Sequence, residues 1–124
     1  MAKIYVIASN EDKQETRNVI EMLLKQGYKV HDWTDMQGKR LTREKIENDF
    51  EELINSDCAI VINASRVTPG KYIEIGACKA IQKPIVFIGN PAGMLSKFGI
   101  IVASRNEAFE QLSIALLKIK LARH

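Results

Sequence analysis

A chain of 124 residues that is 46% apolar and 27% charged is long enough for one domain with one core, which removes roughly two thirds of its unfolded surface from water. Those shares exclude the disordered and fibrous classes, and residues 1–124 are read as a single domain. The net charge of +3 is unevenly spread: residues 1–60 hold nine Lys/Arg and twelve Asp/Glu, whereas residues 61–124 hold nine and three. A basic second half suits an anionic small molecule or a solvated face. No basic stripe interleaved with aromatics is present, so a nucleic acid polymer is not the expected partner.

Lys3 to Ala8 reads as a first strand. Ser9 then stands where it can cap a helix, with Glu11 and Asp12 at the helix's positive end. That helix extends to about Lys25 on Val19, Ile20, Leu23 and Leu24, and Gly27 is placed to end it in a left-handed conformation. Tyr28 to Asp32 make a second strand, and the polar run Thr34–Arg40 reads as a surface loop. Thr42 caps a second helix whose apolar positions Ile46, Phe50, Leu53 and Ile54 form one core-facing stripe. Asp49 falls at the edge of that stripe. A carboxylate there either reaches solvent or must be paired, hydrogen-bonded or set in a pocket.

Cys58–Asn63 is apolar and β-branched like a buried parallel strand, with Asp57 as a turn acid at its start, and Pro84–Gly89 has the same character. Between them lies Gly70–Pro84, a strand-to-helix turn followed by a helix from about Lys71. Ile73, Ala77, Ala80 and Ile81 are expected to face the sheet. Glu74 then falls in the first turn, pointing away from that packing. There it either complements the helix dipole or serves a site at the carboxyl ends of the strands. Asn90–Gly99 has room for at most a short helical piece. Ile100–Ala103 forms a last strand, and Ser104 with Glu107 makes a capping box for a final helix on Phe109, Leu112, Leu116 and Ile119. The sum is an α/β three-layer sandwich with a five-stranded parallel sheet, of flavodoxin-like or Rossmann-like order 2-1-3-4-5.

Two cysteines, Cys58 and Cys78, lie inside apolar patterns and read as reduced core residues. His31 and His124 are too scattered to suggest a metal site, so neither metal nor cofactor is expected. The apolar start Ile4–Ala8 is too short for a signal peptide, and no run is long enough to span a membrane. The expected compartment is the cytoplasm.

Residues Ile46 to Pro84 resemble the nucleoside 2-deoxyribosyltransferase family, including its smaller members that hydrolyse deoxynucleoside monophosphates. Those proteins carry an acid on a helix, a second acid opening a buried strand and a Glu-x-Gly-x-Ala helix start further on. Here Asp49, Asp57 and Glu74-Ile-Gly-Ala77 occupy those places. The likeness extends to Lys83-Pro84 and to Tyr5. It also reaches Gly93-Met-Leu-Ser96, which is similar to the segment lending a polar residue to a neighbouring subunit's site. The resemblance implies cleavage of the N-glycosidic bond of a nucleoside or nucleotide by a retaining double displacement. Glu74 would attack C1′, and Asp49 would orient the sugar or protonate the departing base. Tyr5, Ser9, Asn10, Asp57, Tyr72 and Ser96 would contact substrate, the last across a homo-oligomer.

Three departures stand out. Ile73 replaces the aromatic residue before the nucleophile, with Tyr72 one position earlier. Ala8-Ser9-Asn10 lacks the glycines of the phosphate-binding members, and Asn63–Pro69 lacks the acid used near the base by the exchanging ones. Base identity and the need for a phosphate therefore stay open. A non-catalytic nucleotide-binding or signalling module on the same fold is the alternative. A receiver-like phosphoacceptor domain is set aside because Asn63 and Ser9-Asn10 stand where its metal-binding acids would be.

Overall fold

The computed structural model of the chain describes residues 2–31 and 42–122. The expected loop Thr34–Arg40, the far end of the second strand at Asp32, and His124 lie outside the described residues.

The strands β1 (Lys3–Ile7), β2 (Lys29–Val30), β3 (Cys58–Val61), β4 (Ile85–Ile88) and β5 (Ile100–Val102) are all parallel, in the order β2-β1-β3-β4-β5. The register sets Tyr5 beside Ala59 and Ile60 beside Val86. Side chains alternate between the faces of a strand, so each strand feeds two cores. Ile4, Val6, Cys58, Ile60, Val86 and Val102 pack with Val19, Leu23, Phe109 and Leu112, which lie on α1 (Lys13–Lys25) and α4 (Arg105–Ala122). On the opposite face Tyr5, Ile7, Ala59, Val61, Ile85 and Phe87 pack with residues of α2 (Arg43–Asn55) and α3 (Pro69–Ala80), namely Leu53, Ile75 and Cys78.

Local chemistry explains most boundaries. A short 3-10 turn, Asn10–Asp12, precedes α1, and Ser9 gives its hydroxyl to Asp12 Oδ2 (2.9 Å) rather than accepting from a helix amide. Gly27, at φ 89°, closes α1 so that the Tyr28 amide reaches the Leu23 carbonyl (3.1 Å). The hydroxyls of Thr42, Thr68 and Ser104 accept from the amides of Lys45, Lys71 and Glu107, one cap at each remaining helix. A short 3-10 segment, Gly93–Lys97, fills the connection before β5. Gly99 lets the chain cross β4 closely, because a β-carbon there would lie 2.3 Å from the Ile85 carbonyl oxygen.

Three expectations are corrected. β2 has two residues in place of Tyr28–Asp32 among those described. On α2 only Leu53 of the expected stripe is fully buried; Phe50 is half-buried, and Ile46 and Ile54 are exposed. On α3 the buried side is Lys71, Ile75 and Cys78, while Ile73 and Ile81 face solvent. In both helices the inward stripe contains polar residues that a hydropathy pattern passes over, so the periodicity selected the neighbouring face.

Candidate active site

Proline at the first position and the Thr68 cap start α3 two residues before Lys71. Glu74 is thereby the sixth residue of the helix, beyond the first turn where a dipole favours an acid. Its side chain shares the inward side with Lys71 and Cys78, at spacings of three and four. The Tyr5 hydroxyl, rising from the middle of β1, donates to Glu74 Oε2 at 2.5 Å. Burial, then the Glu74 carboxylate beside it, push the Tyr5 phenol far above its usual range, so it stays a donor.

Burial also raises the Glu74 carboxyl, to about 7. The Tyr5 hydrogen bond opposes that rise and the nearby Asp49 charge adds to it. Asp49, on the inward edge of α2, completes the group together with a residue that composition had set aside. His31 Nε2, just past β2, lies 3.0 Å from Asp49 Oδ1, and the His31 ring stacks on Tyr5 with centroids 6.2 Å apart and planes 15° from parallel. Two acids, a phenol and an imidazole thus meet over β1. The sequence signal for His31 was its place at the end of β2, beside the strand that carries Tyr5.

A second cluster joins the segment after β1 to the segment after β3. Asp12 Oδ1 accepts from Asn63 Nδ2 (3.1 Å), and Asp12 Oδ2 accepts from Ser9 Oγ (2.9 Å) and Lys71 Nζ (3.4 Å). The Lys71 side chain is 1% exposed, and its ammonium also donates to the carbonyls of Ile62 (2.9 Å), Asn63 (3.1 Å) and Arg66 (2.9 Å). Burial would raise the Asp12 carboxyl, but the hydrogen bonds from Asn63 and Ser9 and the Lys71 charge outweigh it and hold the group below its usual range. Arg66 pairs with Glu11 on the rim of the same junction.

The remaining candidates are placed elsewhere. Asp57 sits at the amino end of β3, where its Oδ2 accepts from the Lys3 amide (2.9 Å) and its own amide donates to the Lys3 carbonyl (2.8 Å). That is the edge of the sheet away from the carboxyl ends of the strands, and the pairing is turn chemistry. Tyr72 and Ile73 are 54% and 60% exposed, so neither ring nor branched chain lies over Glu74 within the chain. Asn10 is an exposed residue of the 3-10 turn, and Ser96 spends its hydroxyl on the Gly93 carbonyl (2.7 Å). Lys83 caps the end of α2 by donating to the Ile54 and Ser56 carbonyls. Cys58 and Cys78 are buried free thiols, and burial pushes both up to about 12. Among the described residues no group of three or more His, Cys, Asp or Glu could hold a metal ion, and no helix is long and apolar enough to cross a membrane.

The fold and this cluster define a parallel three-layer α/β protein with a carboxyl–phenol–imidazole group facing one side of its sheet. No family model and no curated protein matches the sequence. Solved structures do share the fold. A 2-deoxyribosyltransferase from Bacillus psychrosaccharolyticus is similar with TM-score 0.71 at 19% identity, over 86% of this chain and 90% of that one. The CMP N-glycosidase of Clostridium botulinum is similar with TM-score 0.61 at 18% identity, over 90% of this chain and 98% of that one. Both span nearly their whole length, so the five-stranded arrangement is shared as a unit.

Proposed function

We propose that the chain, acting as one domain, cleaves the N-glycosidic bond of a nucleoside or nucleoside monophosphate, through a glycosyl group held covalently on Glu74. The observation that carries this reading is the Glu74 carboxyl, partly buried with no Lys or Arg paired to it among the described residues, gripped by the Tyr5 hydroxyl and flanked by the Asp49–His31 pair. A structural acid is normally paired; an acid left unpaired in a partly dry setting is suited to meeting a positive centre. The two structural neighbours, one a deoxyribosyltransferase and the other a CMP N-glycosidase, support the same class of substrate.

In the first step a Glu74 oxygen bonds to C1′ as the bond from C1′ to the base nitrogen breaks. The bonding pair leaves with the base, which takes a proton from the Asp49–His31 pair. In the second step water or another base attacks C1′ and returns a proton to that pair, freeing Glu74. Two inversions give net retention. Tyr5 holds the unattacking Glu74 oxygen and thereby aims the other. Ser9 and Asn10 are assigned to the substrate's sugar end, and Tyr72 and Asp57 lose their proposed contacts within one chain.

A second copy of the chain is proposed to cover the outward isoleucines. Ile46 and Ile54 on α2, Ile73 on α3 and Ile81 just past its end are 40%, 58%, 60% and 47% exposed, and α2 and α3 pack side by side. Glu44, Glu47 and Glu51 make the α2 flank acidic, and Lys79 stands on α3, so a twofold axis sets unlike charges together. In that dimer Ser96 would be lent to the partner's site. Light scattering should give twice the chain mass, and Ile73→Lys should give one; a single-chain mass for the unaltered protein rejects the dimer. With two buried reduced thiols, the cytoplasm is the proposed compartment.

The deciding experiment incubates the protein with a panel of deoxynucleosides and their monophosphates and resolves released base by chromatography. Release should fall by on the order of a thousandfold or more in Glu74→Ala. Release that survives this change, or no release from any substrate, rejects the enzymatic reading in favour of a binding module.

A further inference from the structure

The carboxyl-end crevice of a parallel sheet, beside the positive end of the helix that follows its first strand, is ordinarily where an anion is received. In this chain that place already holds an anion. Asp12, the last residue before α1, presents both carboxylate oxygens across the crevice to Ser9, Asn63 and Lys71. The cation that could have met a phosphate is spent as well, because the Lys71 ammonium is divided among Asp12 and the carbonyls of Ile62, Asn63 and Arg66 and is 1% exposed. Lys71 lies three residues before Glu74 on the same side of α3, on the order of 5–6 Å away at the β-carbons. The Lys71 side chain runs from that side of α3 to Asp12, so the Asp12 carboxylate stands further along the crevice from Glu74, with Glu11 as a further acid on the rim.

We propose that Asp12 is a specificity-determining residue: it makes the site accept nucleosides whose sugar carries no phosphate and reject their monophosphates. The inference rests on the glycosidic reading and narrows it. A sugar hydroxyl can donate to the carboxylate, whereas a phosphate, which needs donors, finds the Ser9 hydroxyl, the Asn63 amide and the Lys71 ammonium already given to Asp12. The loss of such charge-assisted hydrogen bonds is large enough for a roughly tenfold to hundredfold preference.

The test has two arms. In the first, kcat/KM for base release is measured on matched deoxynucleosides and 5′-monophosphates. The unaltered protein should prefer the unphosphorylated member by about tenfold or more, and Asp12→Asn should erase most of that ratio. Asn63→Asp, at a residue whose φ of 50° an aspartate also adopts, adds a carboxylate at the same place and should widen the ratio. Preference for the monophosphate, or a ratio that neither variant moves, overturns the proposal.

The second arm is independent of catalysis, so that failure of the glycosidic reading is distinguishable from failure of this one. Inorganic phosphate is titrated calorimetrically into the unaltered protein and into Asp12→Asn. Uptake by the variant alone supports the inference even if no base is ever released. Uptake by the unaltered protein, or by neither, overturns it.

Discussion

Two acids stand near the carboxyl ends of the same strands, and α3 touches both, Asp12 through Lys71 and Glu74 directly, yet their surroundings are opposite. Asp12 has a buried ammonium, an amide and a hydroxyl on its two oxygens, and its carboxyl is held low. Glu74 has a phenol on one oxygen and a second acid nearby, and its carboxyl is raised to about 7. The difference teaches which acid is finished as structure and which is left available. A carboxylate that already accepts from an ammonium, an amide and a hydroxyl is held as structure; one held, among the described residues, by a single neutral donor in a partly dry setting is left available to a positive centre.

Their pH dependences run in opposite directions. Asp12 is lowered on folding, so its contribution is present above the usual carboxylate range, near 3.8, and is lost as pH falls through it. Glu74 is raised from 4.5 to about 7, so the folded chain binds more protons than the unfolded one across that window. Stability falls as pH rises from 4.5 to 7 and stays lower above it.

The largest test of the contrast on stability is Lys71→Met. It strips Asp12 of its cation and takes the ammonium from three carbonyls, of which that of Asn63 keeps the Arg66 amide, at an expected cost of about 3 kcal/mol or more read as a lower urea midpoint. A loss below about 1 kcal/mol would mean that the Asp12 cluster is not the finished structure described. Glu74→Gln should act in the other direction. Removing a carboxyl that is strained above pH 7 should raise stability by about 2 kcal/mol at pH 8 and hardly at all at pH 4, while abolishing base release. Equal effects at the two pH values would remove the case for a raised Glu74.

Tyr5→Phe sharpens the comparison from the kinetic side. In the proposed reaction the ionised Glu74 is the attacking form, so kcat/KM should rise with pH through a limb near 7. The Tyr5 hydrogen bond is the influence that lowers this carboxyl, and its loss should carry the limb to higher pH. A limb that stays in place separates Tyr5 from the titration. His31→Ala should leave that limb and lower kcat, most for bases that leave poorly without a proton, by about tenfold to a hundredfold.

How much of this was legible in the sequence follows from the same physics. Apolar β-branched runs and caps are local signals, and they located the five strands, their order and the helices. Asp49 was singled out by its place at the edge of the α2 stripe and Glu74 by its strand-to-helix turn, and the resemblance added their roles, while periodicity turned Glu74 outward. The inward stripes of α2 and α3 contain Asp49, Lys71 and Glu74, so a pattern that counts only apolar residues turned both helices toward Ile46, Ile54, Ile73 and Ile81. Lys71 could not be found that way. A lysine 1% exposed is legible only once three carbonyls and a carboxylate have converged on it from the β1 and β3 ends. His31 needed the β2-β1 adjacency, and Asp57, named as a substrate contact by resemblance, stands on the Lys3 backbone at the amino end of β3.

The smallest expected effect separates charge pairing from burial at the same junction. Arg66 pairs with Glu11 across the segments that Lys71 and Asp12 also join, but those side chains are 62% and 60% exposed against 1% and 14% for the inner pair. Water screens the outer pair, and holding two long side chains together costs conformational freedom. Arg66→Ala should therefore change stability by no more than about 0.5 kcal/mol, and that small change should shrink further in high salt. The Arg66 backbone carbonyl, which the substitution keeps, still accepts from Lys71. A cost approaching that of Lys71→Met would show that the outer ion pair, rather than the buried ammonium, joins the two segments, and the contrast between a finished and an available acid would then have to be redrawn around Glu11.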